Sequence, residues 1–137
     1  MSDILSGHLM SGWMRVYNDT SGIRLLDRVK NCTSFTCRLR GLTFRRSLSE
    51  NEGLLLVGSQ ESRVDSAIHM FFVFFSIAVI WLDRELTVVD VRLAHPFAPI
   101  YVPGARAQYV LEGPPQIMDQ VSVGDKLRFE GCLRATR

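Results

Sequence analysis

The chain has 137 residues, 47% hydrophobic and 22% charged, which excludes a disordered or fibrous polypeptide and fits one domain with its own apolar core. Sixteen basic against fourteen acidic residues leave a formal charge of +2, too small to argue for a nucleic-acid partner, and none is expected. No basic leader with an apolar core and small-residue cleavage site opens the sequence, so a cytoplasmic location is expected.

Residues 1–12 are small and polar, and read as a flexible extension; residues 13–137 read as a single β domain. Residues 13–17 (WMRVY) alternate like a strand, and Asn18-Asp19-Thr20-Ser21-Gly22 is dense in turn formers. Residues 23–29 give the return strand of a first hairpin. Thr33-Ser34 predicts the cap of a short helix through Arg40, stopped by Gly41 and held by packing of Phe35 and Leu39. A polar loop over residues 47–52 leads to a short apolar strand at residues 53–57, and residues 58–65 read as another polar loop.

Residues 67–82, AIHMFFVFFSIAVIWL, are interrupted only by His69 and Ser76. A membrane-spanning helix needs about 20 apolar residues. This run is shorter, and Arg63, Asp65, Asp83 and Arg84 close it off, so no membrane span is expected. Its Phe, Ile, Val and Trp content suits a pleated surface. Strands covered on both faces are expected, with a bend at Ser76 and a hairpin turning at Asp83-Arg84-Glu85.

Residues 95–106 contain Pro96, Pro99, Pro103 and Gly104 and cannot sit inside a sheet. Long ordered loops of this kind often line sites. Residues 107–112 predict a strand, Gly113-Pro114-Pro115 a break, and residues 116–120 one helical turn. Val123-Gly124-Asp125-Lys126 reads as a tight turn into a last strand at residues 127–132. Eight or nine short strands predict a mainly β, single-domain, jelly-roll-like sandwich or distorted barrel with one or two short helices.

Cys32, Cys37 and Cys132 are odd in number, so reduced thiols are expected. The Cys32-x4-Cys37 spacing is not that of a zinc site, and neither metal nor cofactor is expected.

The chain resembles the prokaryotic domain-of-unknown-function family number 192. The likeness rests on Arg38-x-x-Gly41-Leu42-x-x-Arg45-x-x-Leu48, Gly53-Leu54-Leu55-Leu56, and Ser62-Arg63 leading into residues 68–75. Residues 77–83, Val88-Val89, Tyr109-Val110-Leu111-Glu112 and Val123-Gly124-Asp125 complete it. The resemblance implies a compact, mainly β, jelly-roll-like or barrel-like domain with a short helix around Arg38, and no established reaction. Two positions depart from the family pattern. Ser76-Ile77-Ala78 stands where relatives have Pro-Ile/Leu-Asp, so any role needing that carboxylate is not carried over. Thr43 replaces a common Met.

His69 is the one group with switchable charge in the apolar run. It reads either as a base or ligand contact, or more plainly as a histidine satisfied by a neighbouring carbonyl. Arg38 and Arg45 flank Gly41. They either grip an anion through their planar forks, or serve structure: Arg38 at a helix C-terminus, Arg45 bridging to Glu52 or Asp83. Arg28, Lys30, Arg38, Arg40, Arg45 and Arg46 cluster in sequence, as an anion site or as a solvated face. Arg63, next to Ser62, reads as a loop contact. No Gly-x-Ser-x-Gly, phosphate loop, His-Glu-x-x-His or paired carboxylates are present. The expected function is therefore a small-ligand or protein-partner binding module without demonstrated catalysis. Its site would be lined by Arg38, Arg45, Arg63, His69, Trp81 and Tyr101 under the loop at residues 95–106. The alternatives are an enzyme acting on a small anionic substrate through His69 and Arg38 or Arg45, and an accessory subunit pairing through a sheet edge.

Overall fold

Alternation of apolar and polar residues builds the first hairpin. In β1 (Trp13–Asn18), Met14, Val16 and Asn18 are buried while Trp13 and Arg15 face solvent. The chain reverses through Gly22, whose φ of +80° lies in the left-handed region that favours glycine. Its N–H donates to the Asn18 carbonyl at 2.7 Å. β2 (Ile23–Cys32) returns antiparallel to β1. These elements come from a computed structural model that describes residues 13–33, 48–70, 73–98 and 100–131.

β3 (Glu52–Ser62) runs parallel to β2, so the chain between them must cross over rather than turn back. The helix expected between Thr33 and Arg40 falls in this crossover and lies outside the described residues, as do Arg38 and Arg45. β4 (Ile77–Leu82) and β5 (Val88–Ala94) form the expected second hairpin. β6 (Ala107–Gly113) pairs antiparallel with both β3 and β4. A short 3-10 helix, Pro115–Gln120, then leads through the turn at Gly124 to β7 (Leu127–Gly131), which pairs with β1.

The strand order is β5-β4-β6-β3-β2-β1-β7 in one seven-stranded sheet. The sheet curls into a half-barrel. Its two ends meet where Thr87 bridges Lys126, the Val88 N–H donates to the Asp125 carbonyl at 2.8 Å, and the Leu127 N–H donates to the Leu86 carbonyl at 3.0 Å. The mainly β expectation holds, and of the two architectures named for it, the barrel-like one describes this single curled sheet.

Both faces of the sheet are apolar. One buries Met14, Val16, Leu26, Leu55, Ile80, Leu111 and Phe129, with Ile117 of the 3-10 helix. The other buries Leu54, Leu56, Val79, Trp81 and Val110 beneath Ile68 and Met70. Every residue of β4 is buried, which explains why its sequence shows no alternation. Packing is close enough at Gly53 that a Cβ there would lie 2.8 Å from the Glu112 carbonyl oxygen.

Three expectations need correction. Residues 67–70 and 73–76 form no sheet strand; Ile68 makes only an isolated bridge to Tyr101. Their apolar side chains cover the sheet instead of extending it. β3 continues to Ser62 through residues expected to be loop, because its backbone pairs again with β6 at Ser62–Ala107. Cys32 is disulfide-bonded, with its partner cysteine outside the described residues. An odd cysteine count rules out complete pairing, not a single bridge.

Among the described residues no helix is long and apolar enough to cross a membrane.

Candidate functional site

Trp81 sets the geometry of the outer face. It is fully buried on β4, and a buried indole needs a partner for its N–H. Nε1 donates to the Ser66 carbonyl at 2.7 Å, pinning the segment after β3 across the sheet. The Ser66 hydroxyl in turn donates to the Ser62 carbonyl.

From there the chain zips to the proline-rich loop. The Ile68 N–H donates to the Tyr101 carbonyl at 3.0 Å, and the Tyr101 N–H returns to the Ile68 carbonyl at 2.8 Å. The Met70 N–H donates to the Ala98 carbonyl at 3.1 Å, and the Phe97 N–H to that of Met70 at 2.9 Å. Two loops thus form a backbone seam over a sheet face, which satisfies polar groups that burial would otherwise orphan.

The loop is tied at further points. Arg63 donates from Nε to the Pro103 carbonyl at 3.0 Å. Asp90 on β5 accepts the Gly104 N–H at 2.8 Å and Arg92 Nη2 at 3.0 Å, both at Oδ2. The Arg92 guanidinium lies 5.7 Å from the centroid of the Trp81 ring. The Tyr101 hydroxyl accepts the His95 N–H at 3.0 Å, bracing the loop from inside.

Arg63, His69 and Tyr101 lie on these covering loops, and Trp81 lies on the sheet face that they cover. Arg63 is exposed, His69 and Tyr101 are half-buried, and Trp81 is hidden beneath them. Phe97 adds an exposed ring held at φ +64°, a conformation that costs a bulky residue energy. It meets Phe74 edge-on, with ring centroids 5.3 Å apart.

Glu112 is a residue that sequence reasoning passes over as a site candidate. It lies on β6 between Leu54 of β3 and Val79 of β4, and is 5% exposed. Among the described residues its Oε1 has no hydrogen-bond partner. Burial pushes its carboxyl up to about 7. The available signal is a charged residue inside an otherwise apolar strand. Its weight depends on both neighbouring strands presenting aliphatic side chains there, which the sequence does not display.

Among the described residues no group of three His, Cys, Asp or Glu side chains could hold a metal ion. The seam offers guanidinium groups, an imidazole and aromatic edges against an apolar floor. Such a set suits recognition: a few placed polar groups on a mostly apolar surface.

Residues 16–129 match DUF192, described as Uncharacterized ACR. The UPF0127 protein of Thermococcus sibiricus is 36% identical over 115 residues, spanning 82% of this chain and 73% of that protein. The UPF0127 protein PH1112 of Pyrococcus horikoshii is 34% identical over 116 residues, spanning 83% of this chain and 97% of that protein. A solved Sinorhizobium meliloti 1021 protein, proposed to be a transcription regulator, is similar with a TM-score of 0.74 and 22% identity, covering 88% of this chain and 92% of its own. A Novosphingobium aromaticivorans protein of unknown function gives a TM-score of 0.72 and 20% identity, covering 85% of this chain and 83% of its own. At these identities the two structures share the fold alone.

Proposed function

The chain belongs to the DUF192 family of uncharacterised proteins, and from that premise we propose that it is a small-ligand-binding module rather than an enzyme. The observation that carries the reading is the backbone seam joining Ile68 and Met70 to Phe97, Ala98 and Tyr101. Arg63, His69 and Tyr101 belong to the two loops that this seam joins, over the sheet face that buries Trp81. A recognition surface needs rigid placement of a few polar groups, and the seam supplies it. General-base catalysis would need in addition an acid oriented on the imidazole, a demand that recognition does not make. Arg38 and Arg45 remain part of the proposed ligand set on sequence grounds.

The test is an amide-resonance titration of the full chain against sugars, nucleotides and organic acids. The reading predicts shifts concentrated at residues 62–70 and 97–106 for at least one class. It predicts that His69→Ala stays folded and loses affinity without any turnover being lost. No perturbation of these residues by any class would overturn it.

A further inference from the structure

Three arginines gather at the Pro103–Gly104 turn. Ser62 and Ala107 form the last pair of the β3–β6 ladder. Arg63 follows β3 and Arg106 precedes β6, so continuing the same register would set the two like charges opposite each other. Like charges directly opposite each other repel. Both residues are exposed.

Two of the arginines have a fixed relation to the turn. Arg63 uses its Nε–H on the Pro103 carbonyl at 3.0 Å, and among the described residues its terminal nitrogens have no hydrogen-bond partner. Arg92 is held there by Asp90, whose Oδ2 also takes the Gly104 N–H at 2.8 Å. The Asp90 Oδ1 is occupied by the Val91 N–H at 2.9 Å. Among the described residues no carboxylate pairs with Arg63 or Arg106. The one carboxylate at the turn, Asp90, pairs with Arg92 alone, and both its oxygens are engaged.

We propose that this turn is an anion subsite, in which Arg63 and Arg106 grip a small, multiply charged oxyanion of phosphoryl or dicarboxylate type and Arg92 adds a third charge. The inference rests on the ligand-binding reading above and gives its ligand a chemical class. A planar guanidinium presents paired donors that match two oxygens of such a group, which a lysine cannot do. An anion between Arg63 and Arg106 also removes their mutual repulsion. Because the site is exposed, binding is weak and falls with salt.

The experiment titrates the full chain with inorganic phosphate, succinate and glucose at constant ionic strength, following amide and arginine side-chain resonances. Phosphate or succinate is expected to move residues 62–64 and 103–107 with a Kd on the order of 1 mM. Arg63→Gln and Arg106→Gln each weaken it at least about fivefold, a loss of about 1 kcal/mol. Arg15→Gln, on β1, leaves it unchanged. Arg63→Lys keeps the charge and is expected to bind less well than the parent but better than Arg63→Gln. Resonance dispersion of each variant reports that it remains folded. Shifts spread equally over Arg15, Arg24 and Arg128 would overturn the subsite as general charge attraction. Glucose moving the turn while both anions fail would overturn the anion assignment and leave the binding module standing. No response to phosphate or succinate would likewise overturn the anion assignment, while the binding reading is tested separately by the wider titration above.

Discussion

Glu112 is a carboxyl with aliphatic neighbours on both sides and an oxygen that finds no hydrogen-bond partner among the described residues. Water is its better solvent, so burial favours the neutral form and raises its pKa from 4.5 to about 7. Between pH 4.5 and about 7 the folded chain holds a proton that the unfolded chain has released. Stability therefore falls as pH rises through that window and stays lower above it, by an amount on the order of 3 kcal/mol. Urea unfolding at pH 5 and pH 8 measures the difference. Glu112→Gln should lose this pH dependence and be more stable than the parent at pH 8. An unchanged pH slope in that variant would show that Glu112 is ionised in the native state.

Trp81 is the satisfied counterpart. Its ring is buried and its N–H is bonded to Ser66. Trp81→Phe leaves the Ser66 carbonyl without its donor, and should cost about 1–3 kcal/mol in chemical denaturation. It should also loosen residues 64–70, read as faster amide exchange there than in β1. An aromatic residue was visible at this position in the sequence but its depth was not, because a strand covered on both faces carries no alternation from which depth could be read.

Elements with alternation or turn chemistry were legible; elements held by side-chain cover were not. The hairpins β1–β2 and β4–β5, the strand β6, the turn at Gly124 and the short helix before it were all visible in the sequence. Gly22 shows why: its φ of +80° is demanded by the turn, and no atom lies within 4 Å of where a methyl group would project. Gly22→Ala should therefore cost about 1–2 kcal/mol through backbone conformation alone, seen as a lower midpoint with an unchanged denaturant slope. Residues 67–70 and 73–75 misled because an apolar run specifies burial, not the partner that provides it. There the backbone bonds of Ile68 and Met70 go to residues 97–101 rather than to a neighbouring strand. Residues 58–62 misled in the other direction, since polar side chains do not prevent a backbone from pairing at the end of a ladder.

At the scale of the molecule, one curled sheet separates two apolar layers, and the strand order decides what meets on each. Mainly β content could be read from patterning. The order β5-β4-β6-β3-β2-β1-β7 could not, and the candidate site depends on it. That order brings β3 beside β6, so that the ladder ends at Ser62 and Ala107 with Arg63 and Arg106 just beyond it, and β6 beside β4, which encloses Glu112. Arg63, His69, Trp81 and Tyr101 could be named from residue type, whereas Arg106 and Glu112 acquire meaning only through their cross-strand neighbours. DUF192 membership fixes the lineage of this scaffold.

The central claim is that this seam is a rigid part of the native molecule, so that the polar groups along it are placed before any ligand arrives. Native-state amide exchange tests it directly. The account predicts that the N–H groups of Ile68, Met70, Phe97 and Tyr101 are protected to within about tenfold of those in β4. Exchange of all four at rates typical of unstructured chain, while β4 remains protected, would contradict it.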